Sequence, residues 1–486
     1  MVCRLVSYWL LRQVCAARSG GAGNRRGEGD EGGIISLPRI LLQSLSRRGA
    51  DLQHSRQLRI EYRVSLRKKF SAFLCIACGA TLALGAAKAA TVCDARAYGA
   101  KADGTTMDTN AIQAAIDACA KKGGGKVSLD GGTFLSGPIV LKSNIDLDIA
   151  KGTTLQGSSK HEDYPRKTEF RNPGLQSLVS ATNASNVSIT GGGVIDGAGE
   201  SWWKEARGQG DHGIMGQGML RPRLVVFDHS RKILMEGVTV QNSPFWQIVL
   251  YYSDDVTIRN IRVLADPHSP NTDAIDPFSS SNVRIEHVYA DVGDDDVAIK
   301  SGQAGSPGPD APSKDITISD CTFMHGHGLS IGSEISGGVQ NVHATRVQFK
   351  GTDNGVRIKS TRDRGGDIGN FDFRDLTMED VGTPILITEY YPRIPDHDSA
   401  QPVGRLTPHF HDISITNLTA TGAKTAGFVI GLPESPIPSV NLTNVNITAE
   451  KGMTISNATV IGKAFEVKAA SGPPVIMLDH AKIQDR

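Results

Sequence analysis

Seven short segments of this chain share one pattern: Asn or Asp, followed by an apolar, a polar and an apolar residue. They are Asn186-Val-Ser-Ile189, Asp255-Val-Thr-Ile258, Asn282-Val-Arg-Ile285, Asp315-Ile-Thr-Ile318, Asn341-Val-His-Ala344, Asn370-Phe-Asp-Phe373 and Asp412-Ile-Ser-Ile415. From Asp255 onward they start 27, 33, 26, 29 and 42 residues apart. A recurring unit of roughly 20–50 residues is the mark of a solenoid, in which each turn buries its apolar face against its neighbours. Alternation within each segment turns the apolar positions inward and the polar ones outward. A β-sandwich also uses short alternating strands, but its turns recur every 8–12 residues or so. The long period with Asn or Asp at each corner therefore favours an all-β fold, a right-handed parallel β-helix. Asn-x-Ser/Thr triplets are scattered through the chain and read as corner and strand residues rather than glycosylation sites.

The end of a coil needs protection, because an exposed terminal rung is an open sheet edge. Thr109 or Asn110 is placed to cap a short helix with apolar Ile112, Ala115, Ile116 and Cys119 at helical spacing, ended by Gly123-Gly124-Gly125. This is the expected N-terminal capping helix.

Charge separates the chain into unlike parts. Of 52 Lys+Arg and 51 Asp+Glu, residues 1–89 hold 15 and 5; residues 90–486 keep 37 and 46, a net charge of −9. An acidic body argues against nonspecific binding of nucleic acid or membranes. Within the basic part, Arg67-Lys68-Lys69, the apolar run Phe70 to Gly85 and Ala87-Lys88-Ala89 form the three regions of a secretory signal peptide over residues 64–89. Residues 1–63 lack periodicity, and the expected reading is that translation starts near Val64. The catalytic domain is then 90–486, secreted or periplasmic, and expected to be a monomer that leaves the membrane once the signal is cleaved. In an oxidising compartment Cys93 and Cys119 could pair, leaving Cys321 as a buried small apolar residue. No Cys/His metal-ligand spacing is read, so no metal and no cofactor are expected.

Chemistry concentrates in the middle of the chain. Asn271-Thr-Asp273, Asp294-Asp295, Gly326-His-Gly328 and Arg357-Ile-Lys359 follow one another, with 21, 33 and 30 residues between Asp273, Asp294, His327 and Arg357. A coil closing once per interval stacks them in a column, neighbouring strands being about 4.8 Å apart. Three carboxylates then crowd beside a His and two cations. Like charges at short range cannot all ionise, so one carboxyl is expected to be raised and to keep its proton.

These motifs and their flanks, Gly293-Asp-Asp-Asp-Val-Ala-Ile-Lys-Ser-Gly302 among them, resemble the signature of glycoside hydrolase family 28, the polygalacturonase family, over about residues 92–450. The resemblance implies cleavage of α-1,4-galacturonosyl linkages in pectin by an inverting acid/base route, with an acidic plant-type polysaccharide as partner. It implies Asp294 as proton donor, Asp273 and Asp295 as the residues that hold and deprotonate water, and His327 as a tuner of the acid. Arg357 and Lys359 suit a substrate carboxylate, and Tyr391, Asn271 and Lys300 are weaker candidates for sugar contact. Asp276 reads as structural. The family usually has Cys after the Asp pair; Asp296 stands there, and alternation turns it away from Asp295 into a structural or solvated position. Because adjacent strand residues face opposite ways, Asp294 and Asp295 can share a site only if the backbone is irregular near Gly293.

Three segments could wall a groove or simply pack on the coil: Gly199 to Gly218 with Trp202-Trp203, the corner Asn242-Ser-Pro-Phe-Trp246, and the insertion Glu389 to Asp396. Competing readings are a hydrolase of rhamnogalacturonan or xylogalacturonan, a pectate lyase with Ca²⁺, and a noncatalytic polysaccharide-binding coil.

Overall fold

The computed structural model describes residues 91–209, 218–305 and 310–485. The expected secretory signal at 64–89 and the expected upstream extension lie outside these residues, as does part of the Gly199 to Gly218 loop. Among the described residues, 31 strands join in one sheet that winds as a coil. Through the middle rungs every third strand pairs in parallel, and in the later rungs neighbouring strands merge into longer ones. Ile248–Tyr251 lies on Val225–Asp228, Asp254–Arg259 on Arg231–Glu236, and Arg262–Leu264 on Thr239–Gln241. The result is a parallel β-helix with three strand stacks.

The repeated Asn/Asp positions are its corners. Asn186, Asp255, Asn282, Asp315, Asn341, Asn370 and Asp412 all have φ between 47° and 59°. This left-handed conformation penalises most side chains, and Asn and Asp tolerate it because their short polar groups bond locally. Some also bond between rungs: Asn341 Nδ2 donates to Asp315 Oδ1 at 2.9 Å, and Asn444 Nδ2 to Asn417 Oδ1 at 2.9 Å. The apolar residue after each corner enters the core. Val187, Ile233, Val256, Val283, Ile316, Val342, Phe371, Ile413, Val440 and Val460 pair in register along one stack, all buried.

The helix Thr109–Lys121 packs on the first strands, Val92–Asp94 and Gly125–Leu129. Ile112, Ala115, Ile116 and Cys119 form its buried face, as expected. Its N-cap is Asp108, one residue ahead of the expected position, and makes no side-chain cap bond. The Asp108 carboxylate instead accepts the Lys101 and Ala102 amides at 2.7 and 2.9 Å. Cys93 and Cys119 form a disulfide that ties the helix to the first strand, and Cys321 is free and buried.

The groove-wall expectations divide. Glu200–Gly208 is a helix whose Trp202 and Trp203 pack inward, Trp202 stacked 3.5 Å from His161 and Trp203 donating to the Ser243 carbonyl at 2.8 Å. A hairpin, Arg166–Glu169 with Asn172–Leu175, presses on the outside of the stack that carries the site. Its Phe170 stacks 3.8 Å from Phe278 and 5.1 Å from Tyr251. The buried pair Glu169–Arg223 at 2.7 Å anchors it, and Arg223 lies under Trp246.

Candidate active site

The site grows from the stack Ile248–Tyr251, Ile275–Phe278, Val297–Ile299, Leu329–Ile331 and Asn354–Lys359. Asp273, Asp294, Asp295 and His327 lie in the bends that feed these strands. At 293–296 the backbone has left the strand Tyr289–Val292, so strand alternation does not apply and both Asp294 and Asp295 reach one cleft. His327 stands between two glycines that close packing requires. A Cβ at Gly326 would lie 2.6 Å from the Asp294 carbonyl oxygen, and one at Gly328 would lie 2.1 Å from that of Asn354.

The cleft, of about 530 Å³, is lined by Trp246, Asp273, Asp294, Lys300, Lys359 and Tyr391 among others. Its three carboxylates differ in access. The Asp294 side chain is 20% exposed, against 4% for Asp273 and 2% for Asp295.

Asp295 is locked. Its Oδ1 accepts from Ser330 Oγ at 2.6 Å and Arg357 at 3.1 Å, and its Oδ2 from Lys359 Nζ at 2.9 Å. Burial opposes ionisation, but Lys359, Arg357, His327 and Lys300 outweigh it and hold the Asp295 carboxyl well below the usual range. Lys359 itself is lowered by burial, against the pull of Asp295.

Asp294 accepts from His327 Nδ1 at 3.0 Å and from the Asp295 amide at 2.9 Å, both at Oδ1. Its Oδ2 faces Asn271 Nδ2 at 3.4 Å. Arg221 fixes that Asn by donating to its Oδ1 at 2.7 Å.

The raised carboxyl is therefore not the expected one. Burial pushes Asp294 up, but its bond to His327 wins and holds it down. Burial, the Asp294 charge and Asp276 raise Asp273 instead. His327 is pulled up by Asp294 despite its burial, and its Nε2 lies 3.3 Å from Asp353 Oδ2.

Arg357 and Lys359 do project to one side, since both bond Asp295. Tyr391 lies over them, its ring centroid 5.6 Å from the guanidinium and 5.3 Å from the ammonium. Lys300 stands 3.6 Å from Asp273, 3.7 Å from Asp276 and 3.5 Å from Glu334, with its ammonium over Trp246. Asp276 is fully buried, and burial raises it to about 7. Asp296 is structural but not solvated: it is buried, accepts the Gly328 amide at 3.0 Å and is raised by burial. The bend moves it under the site, where alternation no longer applies.

Sequence reasoning did not single out Ser330, Glu334, Asp353 or Arg364. Arg364 meets Glu334 at 3.2 Å and lines the cleft. Ser330 was detectable, because it pairs in register with Arg357 on the neighbouring strand. The others stand in bends and turns outside the strands, where alternation gives no guide.

Asp294, Asp295 and His327 each place a donor atom within 4.8 Å of the others, close enough for a cation. The surroundings do not fit one, because both Asp295 oxygens are taken and Lys359 and Arg357 already supply positive charge.

A parallel coil with clustered carboxylates, a His and fixed cations along one open cleft has the layout of a β-helical glycoside hydrolase. The chain belongs to glycosyl hydrolases family 28, whose model matches residues 119–470. It is 32% identical over 379 residues to an endo-polygalacturonase of Pectobacterium carotovorum subsp. carotovorum, covering 74% of this chain and 89% of that one. Among solved structures, a hyperthermoactive exopolygalacturonase from Thermotoga maritima matches with a TM-score of 0.64 at 30% identity, covering 81% of this chain and 92% of that one. A polygalacturonase from Erwinia carotovora ssp. carotovora matches with a TM-score of 0.65 at 28% identity, over 76% and 96%.

Proposed function

We propose that this chain hydrolyses α-1,4-galacturonosyl linkages of polygalacturonate by an inverting route. The activity that names its relatives supports the linkage. The observation that carries the chemistry is Asp294, the most accessible of three clustered carboxyls, bonded to His327 in a cleft also lined by Lys300, Lys359 and Arg364.

In this reading the cluster holds one mobile proton. In the free cleft burial favours Asp273; in the reactive state the proton sits on Asp294. Asp294 gives it to the glycosidic oxygen, the C1–O bond breaks toward that oxygen, and water adds to C1 from the opposite face. The water's proton passes to Asp295 or to Asp273, then ionised. His327 keeps Asp294 oriented and stabilises the carboxylate left once the proton has gone to the leaving group. Lys359, Lys300 and Arg364 hold the substrate carboxylate, and Arg357 fixes Asp295 while Tyr391 covers both groups. A lyase needs a Ca²⁺ held by free carboxylate oxygens, which Asp295 does not offer. The disulfide supports secretion through the 64–89 signal.

The test is to incubate the protein and Asp294→Asn with polygalacturonic acid, following reducing ends and ultraviolet absorbance together. Hydrolysis releases reducing ends without absorbance. An absorbing, unsaturated product means a lyase, and turnover only on branched pectins moves the substrate to rhamnogalacturonan or xylogalacturonan.

A further inference from the structure

A second cluster stands on the later rungs, and none of its residues lines the cleft. Strand Asp367–Glu379 pairs with strand His409–Ile430 so that Asp367 faces His409 and Gly369 faces His411. His409 and His411, two apart on one strand, share a face, and their rings stack 5.0 Å apart. His409 Nδ1 lies 3.0 Å from Asp367 Oδ1, and His411 Nε2 lies 3.2 Å from the same oxygen. On its other side, His411 Nδ1 meets Asp412 Oδ2 at 2.9 Å. The other oxygen of Asp367 is held by Gln340.

Three features set this apart from a chance surface grouping. Space for the His411 ring depends on Gly369, where a Cβ would lie 2.4 Å from the ring. His411 Nε2 is buried and has no hydrogen-bond partner. With Nδ1 engaged by Asp412, Nε2 lies 3.2 Å from a carboxylate oxygen without forming a hydrogen bond to it, and either a second proton or a metal ion between them would join the two. The spacing also suits a metal: donors about 2.0–2.1 Å from a tetrahedral ion are about 3.3 Å apart. Asp412 occupies the outer position of the carboxylate–histidine–metal arrangement, which sets the tautomer and strengthens the ligand.

We propose that Asp367 Oδ1, His409 Nδ1 and His411 Nε2 bind a divalent transition-metal ion of the Zn²⁺ type, which imidazole and carboxylate ligands suit. The ion clasps two successive rungs where the chain returns from the insertion that carries Tyr391. Its role is to hold the base of that insertion, and the glycosidic chemistry proceeds without it. The proposal does not depend on the pectic substrate.

The test is calorimetric titration of the chelator-treated full chain with ZnCl₂, alongside His409→Ala, Asp367→Asn and Asp412→Asn. His409 is exposed, so its removal leaves the core intact. A saturable site is expected in the wild type. It should be lost in His409→Ala and Asp367→Asn and weakened about 10- to 100-fold in Asp412→Asn. Zn²⁺ should raise the thermal midpoint of the wild type and leave that of His409→Ala unchanged. Isotherms that are alike in wild type and variants, or no saturable binding, overturn the proposal.

Discussion

In the proposed mechanism, replacing Asp294 by Asn removes the proton donor while keeping the shape of the site. Asp294 Oδ1 takes two donors, His327 Nδ1 at 3.0 Å and the Asp295 amide at 2.9 Å, so the carboxamide oxygen must settle there. Its amino group then faces Asn271 Nδ2 at 3.4 Å, and Asn271 cannot flip because Arg221 holds its oxygen. One long hydrogen bond becomes a donor–donor contact, and one charge-assisted bond to His327 becomes neutral. With the side chain partly exposed, the stability cost is about 1–2 kcal/mol, a fall of a few degrees in the thermal midpoint, at most about 2–4 °C per kcal/mol. Catalysis should fall much further. Loss of a general acid costs about 10²–10⁴-fold, or about 3–5 kcal/mol of barrier, with KM nearly unchanged. Reducing-end kinetics on polygalacturonate, paired with a thermal melt, separates the two effects. Activity within tenfold of wild type would refute Asp294 as the donor, and a large fall in the melt would refute the geometry that makes the substitution mild.

Other outcomes follow from the same geometry. Lys359→Met leaves the buried Asp295 with one cation fewer and should destabilise by about 3 kcal/mol, seen in a denaturant midpoint. Stability should pass through a maximum near mildly acid pH. Asp276, raised to about 7, and Asp273, also raised, release their buried charge as the pH falls, adding stability from above pH 7 down toward pH 4. Below that the sign reverses: burial opposes ionisation of Glu334, but Lys300 and Arg364 lower it to about 2, so its contribution drains away between about pH 4.5 and 2, and denaturation across this range checks both limbs. At the corner Asn341, with φ of 57°, Asn341→Ala should cost about 1–2 kcal/mol more than Asn341→Gly, because the left-handed backbone penalises a Cβ.

Much of the coil was readable in the chain. A corner held at positive φ accepts few residue types, and the next residue must be apolar to enter the core. Asn282-Val-Arg-Ile285 and its six counterparts therefore announce both the fold and the rung spacing. The column Asp273, Asp294, Asp295 and His327 follows from that period, and Cys93 and Cys119, which the sequence leaves free to pair, do form a disulfide. Trp202 and Trp203 show where local pattern stops: an exposed-looking loop became a helix whose aromatics bury against His161 and the Ser243 carbonyl.

Sequence by itself determined what repeats: the parallel coil, its corners and the order of acid, base and cation along one face. Only the tertiary structure decided which carboxyl is free and which is locked. That depends on burial and on partners from other rungs, such as Ser330, Arg357 and Lys359 on Asp295 and His327 on Asp294. It also decided that Asp296 lies buried under Gly328, and that His411 Nε2 comes within 3.2 Å of Asp367. Such outcomes depend on ångström-scale approach between rungs about 30 residues apart, where a bend or a missing Cβ redirects a side chain that periodicity alone would place elsewhere.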